Sequence, residues 1–92
     1  EEYRPGVHIT DDEELVKAGS EFTQTIFHPV GTCKMGKDDN AVVNDKLYTH
    51  GLKNLRVIDA SIMPNITSGN TNAPTIMIAE KGAEFILNNQ TQ

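Results

Sequence analysis

His28 is the residue whose surroundings in the chain best suit a reactive side chain. It opens the run His28-Pro29-Val30-Gly31-Thr32. Pro29 fixes its own φ and disfavours helical geometry at His28, while Gly31 permits a tight path for the backbone. An imidazole held on a stiff loop is placed as a general base should be. A lone histidine is more often structural than catalytic, so spacing by itself leaves both interpretations open.

A second candidate, Asp59, ends the best strand candidate of the chain, the mostly apolar run at residues 55–59. The small residues Ala60 and Ser61 follow it. In open α/β sheets, ligand-binding residues collect at the carboxyl ends of strands. A cap of a turn or helix explains the same acid equally well.

A polar loop over residues 67–74 precedes a strongly apolar segment. The free backbone N–H groups at the start of a helix attract negative charge. An anionic group of a ligand would suit this position. An ordinary cluster of N-cap residues is the alternative interpretation.

The elements that must position these residues begin with a helix predicted over residues 12–25. Thr10 and Glu13 form a capping box, with Thr10 as the N-cap. Asp11 and Glu14 give the same signal one residue later. Apolar residues then recur at roughly helical spacing.

The rest of the chain predicts an α+β fold with two helices and a few short strands. Residues 28–40 contain several helix breakers and predict a structured loop. Residues 41–43, 47–50 and 55–59 are strand candidates. A second helix is predicted from Pro74 in its first turn to about residue 88, and its largely apolar surface is typical of a buried helix.

Composition narrows the classes of partner. The 92 residues carry a net charge of −5 and no basic patch, which argues against nucleic acid. No apolar run reaches the ~18–20 residues that span a membrane. Cys33 is the single cysteine and cannot form an internal disulfide, which favours a reducing, cytoplasmic setting, with peripheral membrane association as the alternative. No cysteine or histidine lies at the spacing of zinc ligands, so no metal site is expected.

Two segments together resemble the C-terminal signature of the glucose-methanol-choline (GMC) oxidoreductases. The first segment, residues 26–36, reads IFHPVGTCKMG. The second starts at residues 54–64 with NLRVIDASIMP and continues through GNTNAPT at 69–75 to EKG at 80–82. The resemblance covers about residues 10–88 and is closest to the choline dehydrogenase-like alcohol dehydrogenases. It implies an FAD-dependent enzyme that oxidises a choline-like or other primary alcohol to an aldehyde by hydride transfer to flavin N5.

The resemblance also implies two catalytic positions. His28 matches the catalytic histidine that helps to remove the hydroxyl proton. Asn72, three residues before Thr75, matches the second active-site position, with Asn70 as the near alternative. An asparagine can hydrogen-bond the substrate oxygen but cannot serve as a base.

Cofactor contacts are implied at two places in the second segment. Asp59 and Ala60 match the strand end that approaches the ribityl and phosphate part of the flavin nucleotide. Asn72 and Ala73 match the backbone that faces the isoalloxazine ring. Residues 1–92 would then comprise parts of the substrate-binding and FAD-binding domains of a two-domain enzyme.

One departure from the family pattern affects every expectation about the cofactor. The Gly-rich phosphate loop G-x-G-x-x-G is absent from these residues, so the N-terminal dinucleotide-binding region is missing and the chain alone should bind little FAD. The expected partners are a small alcohol and the remainder of the enzyme polypeptide, and the apolar second helix also allows self-association. Two alternatives remain: a hydroxynitrile lyase of the same superfamily, and a non-catalytic binding or self-assembling module.

Overall fold

The computed structural model describes residues 1–88 and contains two α-helices. Helix α1 spans Asp12–Phe22, and helix α2 spans Asn72–Leu87. A 3₁₀ turn at Ala60–Ile62 lies between them. Within the described residues, β-pairing is limited to isolated bridges. The predicted class, two helices with short strand pairings, is therefore confirmed.

Helix α1 begins after Asp11. The Asp11 carboxylate accepts the backbone N–H groups of Glu13 and Glu14 at 3.1 and 3.2 Å. The prediction that Thr10 caps this helix is wrong, and the alternative one residue later is confirmed. Asp11 has the extended backbone of an N-cap residue, and its short carboxylate reaches two otherwise unpaired N–H groups.

The same helix ends at Phe22, three residues before the predicted end at residue 25. Thr23 is the C-cap, with φ −65° and ψ 130°. Both its hydroxyl and its N–H donate to the carbonyl of Gly19. The β-branched Thr23 thus turns the chain out of helical geometry as soon as the last carbonyl is paired.

The three predicted strands form bridges rather than continuous strands. Val43 pairs with Met35 in parallel and with Thr49 antiparallel, and Tyr48 pairs antiparallel with Arg56. Residues 55–59 contribute only the bridge at Arg56. One cause is the backbone at Leu47 and at residue 54, where φ values of 67° and 60° bend the chain and interrupt a regular ladder.

The small core lies between this bridged segment, the 3₁₀ turn and α2. Its buried side chains are those of Val43, Leu47, Ile62, Met63 and Ile78. Val43 is fully buried and belongs to two bridges, so the bridged segment is anchored at its centre.

Helix α2 packs closely on the chain before the 3₁₀ turn. A Cβ placed on Gly82 would lie 2.5 Å from Cγ2 of Ile58, so only glycine fits at this contact. The helix begins two residues before Pro74, which lies in its first turn, as the sequence predicts.

Large apolar side chains on both helices face outward. Val16 of α1 is 74% exposed, and Met77 of α2 is 60% exposed. The expectation that α2 is buried on most faces is therefore not met within this chain, where Ile78 and Gly82 are its buried residues.

No helix within residues 1–88 combines the length and hydropathy that would let it cross a lipid bilayer.

Candidate active site

The imidazole of His28 is held at the start of α2. Its Nδ1 lies 2.9 Å from the hydroxyl oxygen of Thr71, and the Thr71 backbone N–H donates to the same nitrogen at 3.3 Å. The Thr71 side chain is buried, and the histidine ring is partly buried. Two residues 43 positions apart in the chain are thereby joined directly.

The loop that carries His28 is fixed by backbone hydrogen bonds to the 3₁₀ turn. The N–H of Cys33 donates to the carbonyl of Ser61 at 3.0 Å, and the N–H of Met35 donates to that of Ile62 at 2.8 Å. Loop and turn therefore run side by side, as the prediction of a structured loop over residues 28–40 requires. Their pairing ties the first of the two signature segments to the second.

Two backbone conformations in this loop are unusual. Gly31 has φ +90°, which is readily available only to glycine, and a Cβ there would lie 3.4 Å from the carbonyl oxygen of Met63. Phe27, immediately before the histidine, has φ +67°, and its N–H donates to the hydroxyl of Thr25 at 3.0 Å. Such conformations in non-glycine residues persist where the surrounding structure imposes them.

The first turn of α2 offers unpaired donors beside His28. Thr71 is the N-cap residue, but its side chain makes no cap hydrogen bond to the helix. Within residues 1–88, the backbone N–H groups of Asn72 and Ala73 make no hydrogen bond, and both residues are exposed. Asn70 is exposed as well. The structure thus brings the predicted residues His28, Asn72 and Ala73 to one end of α2.

Asp59 lies at the N-terminus of the 3₁₀ turn rather than at the end of a strand. Its Oδ1 accepts the N–H of Ser61 at 2.8 Å and also the Ser61 hydroxyl. The cap interpretation of this acid is therefore confirmed. Within the described residues Oδ2 makes no hydrogen bond, which leaves one carboxylate oxygen open to a ligand, whereas the adjoining Ala60 is half-buried against the core.

The charged groups near this loop are on the surface. Lys34 donates to both carboxylate oxygens of Asp38 at 3.0 and 3.2 Å. This hydrogen bond, with a second from the N–H of Asn40, lowers the pKa of Asp38. Stabilisation from the pair is present above the ordinary pKa of an aspartate and is lost as the pH falls through the lowered value. Both partners are solvent-accessible, so the contribution is small.

Within residues 1–88, the other two histidines make no hydrogen bond to α2. His8 is exposed, and His50 is exposed with its Nε2 3.0 Å from the carbonyl oxygen of Gly36. Across residues 1–88, no group of three or more histidine, cysteine or acidic side chains is placed to hold a metal ion.

Thr71 is the site residue that sequence reasoning did not single out. The polar loop before α2 was recognised only as a cluster of possible cap residues. The physical signal is weak, because an N-cap threonine normally turns its hydroxyl to its own helix. Only the folded chain brings that hydroxyl to His28.

Comparison with known proteins gives a consistent result. A family model described as GMC oxidoreductase, for the C-terminal part of such proteins, matches residues 1–79. An alcohol dehydrogenase (acceptor) from Pseudomonas putida is 58% identical over 83 residues, which is 90% of this chain and 15% of that protein. An oxygen-dependent choline dehydrogenase from Pseudomonas fluorescens Pf-5 is 54% identical over 89 residues, or 97% of this chain and 16% of that protein.

A solved structure is also similar. The crystal structure of pyridoxine 4-oxidase from Mesorbium loti superposes with a TM-score of 0.63 at 48% sequence identity. The superposition covers 71% of this chain and 13% of that one. The chain therefore spans about 15% of the length of the curated relatives that it matches.

Proposed function

The chain belongs to the GMC oxidoreductase family, and from this premise we propose that it is the C-terminal part of an FAD-dependent enzyme that oxidises a primary alcohol to an aldehyde. His28 is the base, and Asn72 is the second residue that contacts the substrate oxygen. The relatives named alcohol dehydrogenase and choline dehydrogenase support oxidation of a CH–OH group. A choline-like alcohol is one candidate substrate, and pyridoxine, which carries primary hydroxyl groups, is another.

One observation carries the assignment of the site. The ring of His28 is held against Thr71, the residue before Asn72, although the two lie 43 positions apart in the chain. Within residues 1–88, Nε2 of His28 makes no hydrogen bond. That nitrogen is the one left open to a substrate.

The residues at the start of α2 fit a flavin ring. The free N–H groups of Asn72 and Ala73 and the positive end of the helix dipole suit an anionic group, and the pyrimidine edge of a reduced flavin is one. Asp59 and Ala60 would approach the ribityl and phosphate part, where Oδ2 of Asp59 can accept a hydroxyl group. FAD, when bound, supplies the acceptor for the hydride that leaves the carbinol carbon.

The part played by the chain's own residues is a proton transfer. As the O–H bond of the alcohol breaks, its proton passes to Nε2 of His28, and the electron pair stays on oxygen to form the aldehyde C=O. The side-chain N–H₂ of Asn72 donates a hydrogen bond to that oxygen and stabilises its developing negative charge. Asn72 keeps its own protons throughout.

Replacing His28 tests this function in the complete FAD-bound enzyme. His28→Ala should lower the anaerobic rate of flavin reduction by roughly 10²–10⁴-fold, because positioned proton transfer contributes a factor of that size. The measurement is flavin bleaching in a stopped-flow instrument with choline, 1-butanol and pyridoxine.

His50→Ala is the matched control for this test, since His50 is an exposed histidine whose Nε2 lies 3.0 Å from the carbonyl oxygen of Gly36. It should reduce the flavin at the wild-type rate. A His28→Ala enzyme that reduces its flavin normally would contradict the assignment of the base. Absence of bleaching by all three alcohols in the wild type would favour the lyase or the non-catalytic module instead.

A further inference from the structure

Thr71 makes the direct side-chain contact to the candidate base. Its hydroxyl oxygen lies 2.9 Å from Nδ1 of His28, and this distance is that of a good hydrogen bond. The Thr71 side chain is only 7% exposed. We propose that Thr71 is a positioning residue that orients the imidazole and holds its proton on Nδ1. This proposal rests on the function proposed for His28.

The position of the hydroxyl supports a role toward His28 rather than toward the helix. An N-cap threonine usually accepts an N–H group of its own helix. Thr71 makes no such bond, and its backbone is in the αR region, with φ −86° and ψ 0°. The hydroxyl is therefore directed at the imidazole, and the start of α2 lacks the cap hydrogen bond that this side chain could make.

The two contacts from Thr71 constrain the ring proton differently. A hydroxyl can donate a hydrogen bond to a bare Nδ1, or it can accept one from Nδ1–H, which leaves the lone pair on Nε2. A backbone N–H can only donate, so its contact at 3.3 Å favours a bare Nδ1 and a proton on Nε2. A neutral histidine with its proton on Nε2 cannot take a proton from an alcohol at that nitrogen. Of the two Thr71 contacts, the hydroxyl contact is the shorter, at 2.9 Å against 3.3 Å, and it alone is compatible with a proton on Nδ1, which is the tautomer that a base at Nε2 requires.

Removing the Thr71 hydroxyl should therefore leave His28 in place but in a tautomer that cannot act as a base. In Thr71→Val the amide is the remaining partner of Nδ1, and it favours the unproductive tautomer. We expect the limiting rate of flavin reduction in the complete enzyme to fall about 10–100-fold, within the range for acid–base catalysis. The apparent Kd for the alcohol should stay within about 3-fold, because loss of an interaction made in the transition state lowers the rate and not the affinity.

Thr71→Ser is the rescue variant, since serine keeps the hydroxyl and loses only a methyl group. Its rate should lie within about 3-fold of the wild-type rate. Thr75→Val is the matched control, because the Thr75 hydroxyl is one turn further along α2 and donates to the carbonyl of Thr71 at 2.6 Å. That variant loses a threonine hydroxyl from the same helix without touching His28, and its rate should not change.

A readout independent of turnover is the ¹⁵N NMR spectrum of histidine-labelled enzyme. The ring signals of His28 are assigned by their loss in His28→Ala. The wild type and Thr71→Ser should carry the proton on Nδ1 when the ring is neutral, and Thr71→Val should carry it on Nε2. An unchanged tautomer in Thr71→Val would overturn the proposal.

The remaining outcomes separate this proposal from the proposed function. If His28→Ala is slow and Thr71→Val is fast, only the role of Thr71 fails. If His28→Ala reduces flavin normally, the function itself fails, whatever Thr71 does. A serine variant as slow as the valine variant, or a Thr75→Val enzyme that is equally slow, would show a structural role and overturn the proposal. Rates are taken per bound flavin, and loss of flavin from both Thr71→Val and Thr71→Ala would overturn it in the same way.

Discussion

Single residues fix the position of His28 chiefly through the backbone. Gly31, which has a positive φ, lies close to the carbonyl oxygen of Met63. Phe27, on the other side of the histidine, also has a positive φ. Residues other than glycine adopt such backbone conformations only at a cost in conformational energy. The path of the loop is therefore fixed by these two backbone conformations and by its hydrogen bonds to the 3₁₀ turn. The imidazole ring itself is held by Thr71.

Alanine at Gly31 should separate the loop's stability from its role at the site. Gly31→Ala and Gly51→Ala both place a Cβ on a residue with positive φ, at +90° and +78°. Each is expected to lower the free energy of unfolding by about 1–2 kcal/mol, as measured by denaturant unfolding of the complete enzyme. Only Gly31→Ala should also slow flavin reduction, because it shifts the loop that carries His28.

Gly51 is the appropriate control because nothing lies within 4 Å of a Cβ built there. Equal slowing of flavin reduction by both variants would mean that the loss follows general destabilisation. The idea that Gly31 sets the path of the loop that carries His28 would then be wrong.

At the scale of elements, sequence patterns located both helices but not their exact ends. Asp11 rather than Thr10 caps α1, because the two candidates are adjacent and only the backbone geometry decides between them. The apolar run at residues 55–59 predicted a strand, but a strand needs a continuous partner. The available partner bends at Leu47, so a single bridge forms at Arg56.

The candidate site was predictable in part for a similar reason. His28 and Asn72 stand out in the sequence, because both carry polar side chains suited to catalysis and both lie in segments that match the family pattern. The contact between His28 and Thr71 spans 43 positions and depends on how the loop packs on α2. Nothing in local spacing encodes that approach, so Thr71 becomes visible only in the folded chain.

The packing of α2 gives a prediction in which one substitution has opposite effects in the two helices. Gly82→Ala should destabilise the protein by about 1–2 kcal/mol, because its Cβ would lie 2.5 Å from Cγ2 of Ile58, a branch that cannot swing away. Gly19→Ala in α1 meets nothing within 4 Å and should stabilise by about 0.5–1 kcal/mol through helix propensity. Denaturant unfolding of the two variants provides the comparison.

A double variant tests whether the contact itself is the cause. Trimming Ile58 to alanine should remove the clash, so Gly82→Ala with Ile58→Ala should be less unstable than the sum of the two single changes. Strict additivity would show that Gly82 and Ile58 do not crowd each other. The close packing of α2 would then have to be explained differently.

At the scale of the whole molecule, the chain is elongated and leaves much apolar surface open. Its longest dimension is 61 Å, and large apolar side chains of both helices face outward. Exposed apolar side chains on both helices would suit burial against another surface. Because the chain spans about 15% of the length of its relatives, the rest of the enzyme polypeptide is a plausible cover for these faces.

The isolated 92-residue chain should therefore associate with itself and bind no FAD that titration can detect. The start of α2 supplies two free N–H groups for one edge of a flavin, but the residues contain no Gly-rich loop for the pyrophosphate. Sedimentation velocity over a range of chain concentrations measures the self-association, and flavin fluorescence measures the binding of FAD. If the outward face of α2 drives association, Met77→Lys should shift the sedimentation toward monomer, while Val16→Lys on α1 should leave it unchanged. The reverse pattern would assign the association to α1.

A wild-type monomer at all concentrations that binds one FAD would contradict both expectations, since the site would then be complete within this chain.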